Sequence, residues 1–168
     1  MALTILKWFV IGLAALAALL LVAGQAGLLA GRAPDDLGVK AGRLKPPSTT
    51  PNSVSSQAAA WPGHAMQQQA AIAPLAWRGD ARSAMAALAA VIRAMPGATL
   101  VEQRDDYLRA EFRSRLLGFV DDAEFWFDPA SGAIALRSAS RLGRKDFGVN
   151  RARIERIRGL LAQAAAAR

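Results

Sequence analysis

Residues 107–116 read YLRAEFRSRL, and their side chains fall into two alternating sets. One set is mostly apolar and comprises Leu108, Ala110, Phe112, Ser114 and Leu116. The other is mostly charged and comprises Tyr107, Arg109, Glu111, Arg113 and Arg115. Alternation with a period of two is typical of a strand that has one face on the core and the other in solvent. The stretch therefore predicts a strand with one buried and one exposed face.

Turn signals after this stretch predict two further strands and a closing helix. Gly118 ends the first strand, and DPASG at 128–132 is a hairpin signal with proline at the second turn position. A last strand is predicted from Ile134 to near Ser140, and Asn150 is the predicted N-cap of the closing helix. The apolar stripe of that helix comprises Ile154, Ile157 and Leu161.

The residues before the stretch predict a short strand, a helix and another strand. The short strand is Ala70–Leu75, and Asp80 is the N-cap of a helix that ends before Pro96-Gly97. Ala98–Gln103 is the next strand. The order β-α-β-β-β-β-α predicts an α+β fold, with a small antiparallel sheet of about four or five strands and two helices on one face.

The first 31 residues are predicted to be a transmembrane anchor. Residues 8–31 contain Gln25 as their only polar side chain, and this run exceeds the roughly 20 residues that a helix needs to cross a bilayer. Two alternatives stay open. One is a cleaved signal peptide with Gly24-Gln25-Ala26 as its cleavage site, and the other is a helix buried in a larger protein.

An anchor of this kind predicts a single-pass protein of the bacterial inner membrane, with membrane lipid as a partner. We expect the C-terminal domain in the periplasm. The positive charges are Lys7 before the helix and Arg32, Lys40, Arg43 and Lys45 after it. The positive-inside rule, applied to these charges, places the domain in the cytoplasm, contrary to this expectation. The sequence therefore leaves the orientation open.

Residues 32–69 are a predicted linker, and residues 70–168 are the predicted α+β domain. The linker contains five prolines with serine and threonine between them, a composition typical of an extended and poorly packed tether. The net charge of +8 is uneven: residues 79–135 carry six basic and nine acidic side chains (−3), whereas residues 136–168 carry nine and two (+7). There is no cysteine, which excludes thiolate catalysis, disulfides and cysteine metal sites.

The basic C-terminal end supplies candidate residues for an anionic ligand. The first amides of the closing helix are unpaired donors at the positive end of a helix dipole, and arginines lie close by in sequence. The candidate ligand-binding residues are Arg137, Ser138, Ser140, Arg141, Arg144, Lys145, Asn150 and Arg151. In the alternative interpretation, Asp146 and Asn150 cap the helix while the arginines stay solvated.

The charged face of the sheet is a candidate partner-binding surface. An exposed tryptophan among arginines is typical of interfaces, because tryptophan and arginine anchor binding hot spots. The candidate partner-binding residues are Tyr107, Arg109, Arg113, Arg115 and Trp126. Cross-strand ion pairs are the alternative for this face. Nucleic acid, which stacks on such residues, is an unexpected partner for a membrane-tethered domain.

No arrangement of residues predicts catalysis, a metal site or a cofactor. His64 is the only histidine and lies in the linker, without a nucleophile or orienting partner nearby in sequence. The acidic pairs are Asp105-Asp106 and Asp121-Asp122, and adjacent residues of a strand point to opposite faces. The glycine-bounded loop 143–148 lacks the lysine and serine or threonine of a phosphate loop.

Three segments resemble the bacterial domain-of-unknown-function 1499 family. They are SASRLGRKDFGVNRARIERIR at 138–158, YLRAEFRSRLLGFVDDAEFWFD at 107–128 and STTPNSVSS at 48–56. The resemblance covers residues 36–160, and DFGVN with the preceding RSASR is its most specific part. Members commonly follow a membrane-spanning or signal segment, and no reaction is established for the family.

One departure from the family pattern concerns two cysteines near the linker. The usual pattern is similar to P-C-P-x-S-P-N-C-V-S-S, and Pro47 and Ser53 occupy the two cysteine positions here. Their joint loss suggests that those cysteines act as a pair in relatives, as the two halves of a disulfide do. The sequence as a whole predicts a membrane-anchored envelope protein whose domain binds a partner or an anionic ligand. The alternative is an envelope hydrolase that uses Asp or Ser residues on the exposed sheet face.

Overall fold

The chain begins with a long apolar helix. The computed structural model describes residues 1–166 and places helix α1 at Ala2–Gln25. Nearly every side chain of α1 is exposed, and the helix is long and apolar enough to cross a membrane, a criterion that a signal sequence near the N-terminus also meets. The last two residues of the predicted domain, 167–168, lie outside the described part of the chain.

The strands form one antiparallel sheet, as the alternation predicts. Its strands are β1 (Ser53–Ser55), β2 (Leu75–Ala76), β3 (Ala98–Gln103), β4 (Tyr107–Arg113), β5 (Val120–Asp128) and β6 (Ala133–Ser140). They lie in the order β1-β6-β5-β4-β3, and β2 also pairs with β6. The mixed α+β fold is therefore confirmed, with six strands among the described residues rather than four or five.

The two longer helices of the domain pack on one face of this sheet. They are α3 (Ala81–Arg93) and α4 (Val149–Ala166); a short helix, α2, covers Gln67–Ala70, and a 3-10 turn covers Ala58–Ala60. Asp80 is the N-cap of α3, as predicted, because its carboxylate accepts from the Ser83 amide at 2.7 Å. The core between layers includes Met85, Leu88, Ile92, Leu108, Phe125, Leu136, Ile154 and Ile157.

Three local predictions were wrong. The strand that begins at Tyr107 ends at Arg113, because Ser114 starts a tight turn in which its carbonyl accepts from Gly118 and its hydroxyl accepts from Phe119. Most of the expected strand at 70–75 is not a strand, and the edge of the sheet is formed by Ser53–Ser55.

The third wrong prediction concerns the start of α4. Asn150 lies inside the first turn and is fully buried, so it is not the N-cap. The carboxylate of Asp146 accepts from the amides of Gly148 at 3.1 Å and Asn150 at 2.9 Å. Burial alone would raise the pKa of Asp146, but these hydrogen bonds lower it below its ordinary value.

The face of the sheet opposite the helices is covered by chain and is not a wet face. Leu44 packs in a small apolar cluster with Tyr107, Trp126, Ala135 and Val39. Part of the segment predicted as a poorly packed tether is thus folded: the stretch around Leu44 forms an outer layer, and Ser53–Ser55 form strand β1. The few apolar residues of the proline-rich segment make these contacts, and the overall composition of the segment does not indicate them.

Candidate functional site

A row of buried polar side chains crosses the outer face of the sheet. Glu124 has no exposed surface, and its Oε1 accepts from the Tyr107 hydroxyl at 2.9 Å and from the Gly38 amide at 2.6 Å. Its Oε2 has no hydrogen-bond partner among the described residues. Burial raises the pKa of Glu124, although the Gly38 amide and the charge of Arg137 oppose the shift. Burial also raises the pKa of Tyr107.

Arg137 lies opposite Glu124 in the β5–β6 register and is 5% exposed. Its Nε donates to the Pro46 carbonyl at 2.9 Å, whereas its Nη1 is 3.9 Å from Glu124 Oε2, which is too long for a hydrogen bond. Burial lowers the pKa of Arg137, and Glu124 opposes that effect. A buried guanidinium has five donors to satisfy, so Arg137 has capacity for a further acceptor.

Arg141, just beyond β6, is held by two carboxylates. Its Nε and Nη2 donate to the two oxygens of Asp122 at 2.7 and 2.8 Å, and Nη2 also donates to Glu111. The hydrogen bonds that Arg141 donates to Asp122 and Glu111 raise its pKa, against the effect of burial. The side chain of Arg141 is therefore fixed in position and fully charged.

A cavity of about 200 Å³ opens beside Arg137 and Arg141. We name it the arginine cavity; its lining residues are Arg32, Pro34, Lys45, Ser48, Asp122, Arg137, Ala139, Ser140 and Arg141. Four of these residues are basic and one is acidic, so the lining favours an anion. Of the eight candidate ligand residues, the cavity brings together Arg137, Ser140 and Arg141.

Two other candidate residues lie on the opposite face of the sheet, beneath α4. The Ser138 hydroxyl donates to Asn150 Oδ1 at 2.5 Å, and the Asn150 amide nitrogen reaches the Asn52 carbonyl at 3.2 Å and the Ser140 hydroxyl at 3.1 Å. Arg153 also donates to Asn150 Oδ1 and bonds Asp121 at 2.5 Å. These side chains join α4 to the sheet, and their contacts leave them little room for a ligand.

The remaining candidate ligand residues are spread along the loop and the start of α4. Arg144 and Lys145 are exposed. Arg151 donates to the carbonyls of Gln69 at 3.0 Å and Ala71 at 2.9 Å, so it ties α4 to the segment after α2. The amides at the start of α4 that were expected to bind an anion are occupied by Asp146.

The candidate partner-binding residues are not one exposed surface. Tyr107 and Trp126 are buried, because the segment around Leu44 covers them. Arg109 is half-buried, whereas Arg113 and Arg115 are exposed at the end of β4. The expected exposure of the aromatic residues was therefore wrong, since alternation along a strand cannot show a third layer of chain.

The end of α1 contacts the turn after β4. Gln25 Nε2 donates to the carbonyls of Arg115 at 3.0 Å and Leu116 at 2.9 Å, and Arg113 Nη2 donates to the Gly24 carbonyl at 2.8 Å. A Cβ atom at Gly24 would lie 2.5 Å from the Leu117 carbonyl oxygen. Residues 24–25 are thus packed against the folded domain.

A groove that the sequence reasoning missed lies between the turn after β4 and the start of α4. Its volume is about 690 Å³. Its apolar lining includes Phe119, Leu142, Phe147 and Val149, and its basic lining includes Arg113, Lys145, Arg153 and Arg156. Scattered single residues form it, so no periodic pattern in the sequence indicates it.

The residues considered for catalysis have structural partners. Asp121 binds Arg153 beneath α4, whereas Asp122 binds Arg141 on the outer face. His64 Nδ1 accepts from the Met66 amide at 3.1 Å. Among residues 1–166, no group of three or more His, Asp or Glu side chains is placed to hold a metal ion.

The family model described as protein of unknown function (DUF1499) matches residues 43–161. The chain belongs to this family. The match begins after α1 and includes every strand, α3, most of α4, and Lys45, Arg137 and Arg141 of the arginine cavity. No curated protein and no solved structure matches the chain at a significant level.

The DUF1499 segment also holds the two positions where cysteines stand in the family pattern. Pro47 and Ser53 are both buried, and the Ser53 hydroxyl accepts from the Ser48 amide at 2.9 Å. In this member, a hydrogen bond closes the short loop between these positions. The loop borders the arginine cavity through Ser48.

Proposed function

We propose that the protein is a single-pass membrane protein whose α+β domain binds a small oxyanion in the arginine cavity, without catalysing a reaction. The observation that carries the proposal is Arg137. Its buried guanidinium lies beside a cavity, makes one hydrogen bond among residues 1–166, and comes no closer than 3.9 Å to a carboxylate of those residues. An oxyanion supplies the acceptors that such a group lacks.

The other charges around the cavity are already paired or exposed. Arg141 is bound by Asp122, and Lys45 by Asp36 at 2.6 Å, while Arg32 is exposed and 3.8 Å from Asp35. Carboxylates therefore largely neutralise Arg141 and Lys45, and Arg137 is the lining residue whose buried donors have capacity for a further acceptor among the described residues. The volume of about 200 Å³ suits a phosphate-sized or carboxylate-bearing group.

A retained anchor is favoured over a cleaved signal by the contacts of α1. Cleavage after Ala26 would remove Gly24 and Gln25, whose hydrogen bonds join the helix to the turn after β4. We place the anchor in the inner membrane of a bacterium and the domain in the periplasm, where a disulfide such as the one suggested for relatives would persist. Protease added to spheroplasts digests a periplasmic domain and spares a cytoplasmic one.

The contacts of the described residues do not favour the hydrolase alternative. Its candidate acids Asp121 and Asp122 lie on opposite faces of the sheet, and each is bound by an arginine. Two carboxylates that share acid and base work must converge on one substrate atom.

The test of the proposal is the melting temperature of the full chain in detergent as inorganic phosphate is added. We expect a rise that weakens with sodium chloride, is lost in R137Q and survives in the matched control R144Q, since Arg144 is exposed and outside the cavity. R32Q provides a variant that leaves the fold intact, because the Arg32 side chain is 91% exposed, and it should weaken the response. A wild-type chain that phosphate does not stabilise contradicts the proposal.

A further inference from the structure

We propose that the groove between the turn after β4 and the start of α4 binds an anionic phospholipid of the bilayer that holds α1. This inference rests on the proposed anchor and adds a second site, separate from the arginine cavity. The groove is large enough for part of an acyl chain, and its lining combines apolar side chains with unpaired basic ones.

The position of the groove next to the end of α1 is the first observation. Arg113 lines the groove and donates to the Gly24 carbonyl, one residue before α1 ends. Leu142 lines the other side, and a Cβ atom at Gly31 would lie 3.0 Å from its Cγ. Both sides of the groove therefore contact the chain where it leaves the apolar helix, which places the groove at the bilayer surface.

The exposed apolar side chains around the groove are the second observation. Leu142 is 42% exposed, Val149 51% and Phe147 91%, and all three line the groove. Phe147 also has a φ of 52°, a left-handed conformation that a bulky side chain rarely adopts. Exposed apolar side chains this close together mark a contact surface, and the acyl boundary of a bilayer suits them.

The charge distribution is the third observation. Arg113, Arg115, Arg144, Lys145 and Arg156 lie at the end of the domain that meets α1, and all five are exposed. The opposite end is mixed in charge: it carries Asp80, Asp105, Asp106 and Asp128, but also Arg82 and Arg104, which pair with Asp105 and Glu102. An excess of basic side chains at the end that meets the bilayer orients the domain on anionic lipid.

Among these residues, Lys145 and Arg156 line the groove and make no ion pair with the described part of the chain. By contrast, Arg153 is bound to Asp121 and Asp146 is bound to helix amides. Lys145 and Arg156 are therefore the groups available to a lipid phosphate. Phe119, Leu142 and Val149 provide the apolar surface for the first part of an acyl chain.

The absence of cysteine permits a clean experiment on the full chain. A single cysteine at Leu142, in the groove, is labelled with an environment-sensitive fluorophore, and the chain is placed in nanodiscs of phosphatidylcholine with or without phosphatidylglycerol. Ser131→Cys is the matched control, because Ser131 is exposed in the hairpin at the other end of β5. We expect a blue shift at Leu142→Cys that grows with phosphatidylglycerol, and none at Ser131→Cys.

Two further variants separate lipid binding from folding. K145Q/R156Q should reduce the blue shift severalfold, because each basic residue near an anionic surface contributes about fivefold in affinity. F147G should also reduce it while leaving the melting temperature unchanged or higher, because glycine accepts a positive φ without strain.

The outcomes distinguish this site from the proposed function. R137Q should leave the blue shift intact, and inorganic phosphate should not reproduce it. Chains that co-elute with nanodiscs but report the same environment at Leu142→Cys and Ser131→Cys in both lipids would overturn the groove proposal while leaving the anchor in place. A shift that phosphatidylcholine alone produces in full would overturn the preference for anionic lipid.

Discussion

The Tyr107 hydroxyl donates to Glu124 Oε1 at 2.9 Å, and a backbone amide from 86 residues earlier, that of Gly38, donates to the same oxygen at 2.6 Å. The two contacts fasten the segment around residues 38–46 to the sheet. Both side chains are buried as a result, so the outer layer is part of the fold. The arginine cavity lies where this layer, through Lys45 and Ser48, meets Arg137 and Arg141.

Removal of the Tyr107 hydroxyl should destabilise the domain. Y107F leaves the ring in its apolar cluster but removes one of the two donors to a buried carboxylate oxygen. We expect a loss of about 1–2 kcal/mol in the free energy of unfolding, measured by denaturant titration. The double variant Y107F/E124Q should lose less than the sum of the two single variants. Strict additivity would show that the two groups do not interact.

Glu124 should make the stability depend on pH. Because burial raises the pKa of Glu124 in the folded state, the folded protein holds the proton more tightly than the unfolded chain does. The contribution of Glu124 to the free energy of unfolding is fully present below its ordinary pKa of 4.5, and it is lost as pH rises through its folded-state pKa. The melting temperature of E124Q, relative to that of the wild type, should therefore increase as pH rises above 4.5. A constant difference between pH 4 and pH 8 would count against this account.

Local patterns in the sequence predicted the parts of the fold whose contacts join residues that are close along the chain. Alternation at 107–113 and the DPASG turn gave β4, β5 and β6 because hairpin partners are neighbours in sequence. Arg137 and Arg141 were predicted to belong to one ligand site because both lie in the basic segment before the closing helix, and the arginine cavity brings these two together.

Contacts between distant parts of the chain could not be predicted in this way. Tyr107 and Trp126 were predicted to be solvent-exposed, and their burial depends on Leu44, which is more than 60 residues away in sequence. Arg151 was predicted to bind a ligand, but its side chain donates to the carbonyls of Gln69 and Ala71, about 80 residues earlier in the chain. The groove is lined by residues just after α3, by β4 and the following turn, by the loop after β6 and by α4, and none of these segments indicates it alone.

Removal of the Asp146 carboxylate should weaken the start of α4. D146A deprives the amides of Gly148 and Asn150 of their acceptor, and we expect a loss of about 1 kcal/mol at neutral pH, measured by thermal unfolding. The folded-state pKa of Asp146 is lowered, so its contribution is present above its ordinary value of 3.8 and is lost as pH falls further. The difference between wild type and D146A should therefore shrink in acid. D80A, which removes the cap of α3, is the matched control for the loss of a helix cap elsewhere.

The contact between α1 and the domain should depend on the absence of a side chain at Gly24. A Cβ atom there would lie 2.5 Å from the Leu117 carbonyl oxygen, so G24A must push the helix end away from the turn. We expect a lower melting temperature for the full chain in detergent and faster trypsin cleavage after Arg32, whose side chain is 91% exposed. G12A is the matched control in the same helix, because a Cβ atom at Gly12 meets nothing within 4 Å. Alanine favours a helix more than glycine at both positions, so a loss confined to G24A can only come from the contact with the domain. Equal melting temperatures and cleavage rates for the two variants would show that the end of α1 does not contact the domain. The proposed position of the groove at the bilayer surface would then lose its support.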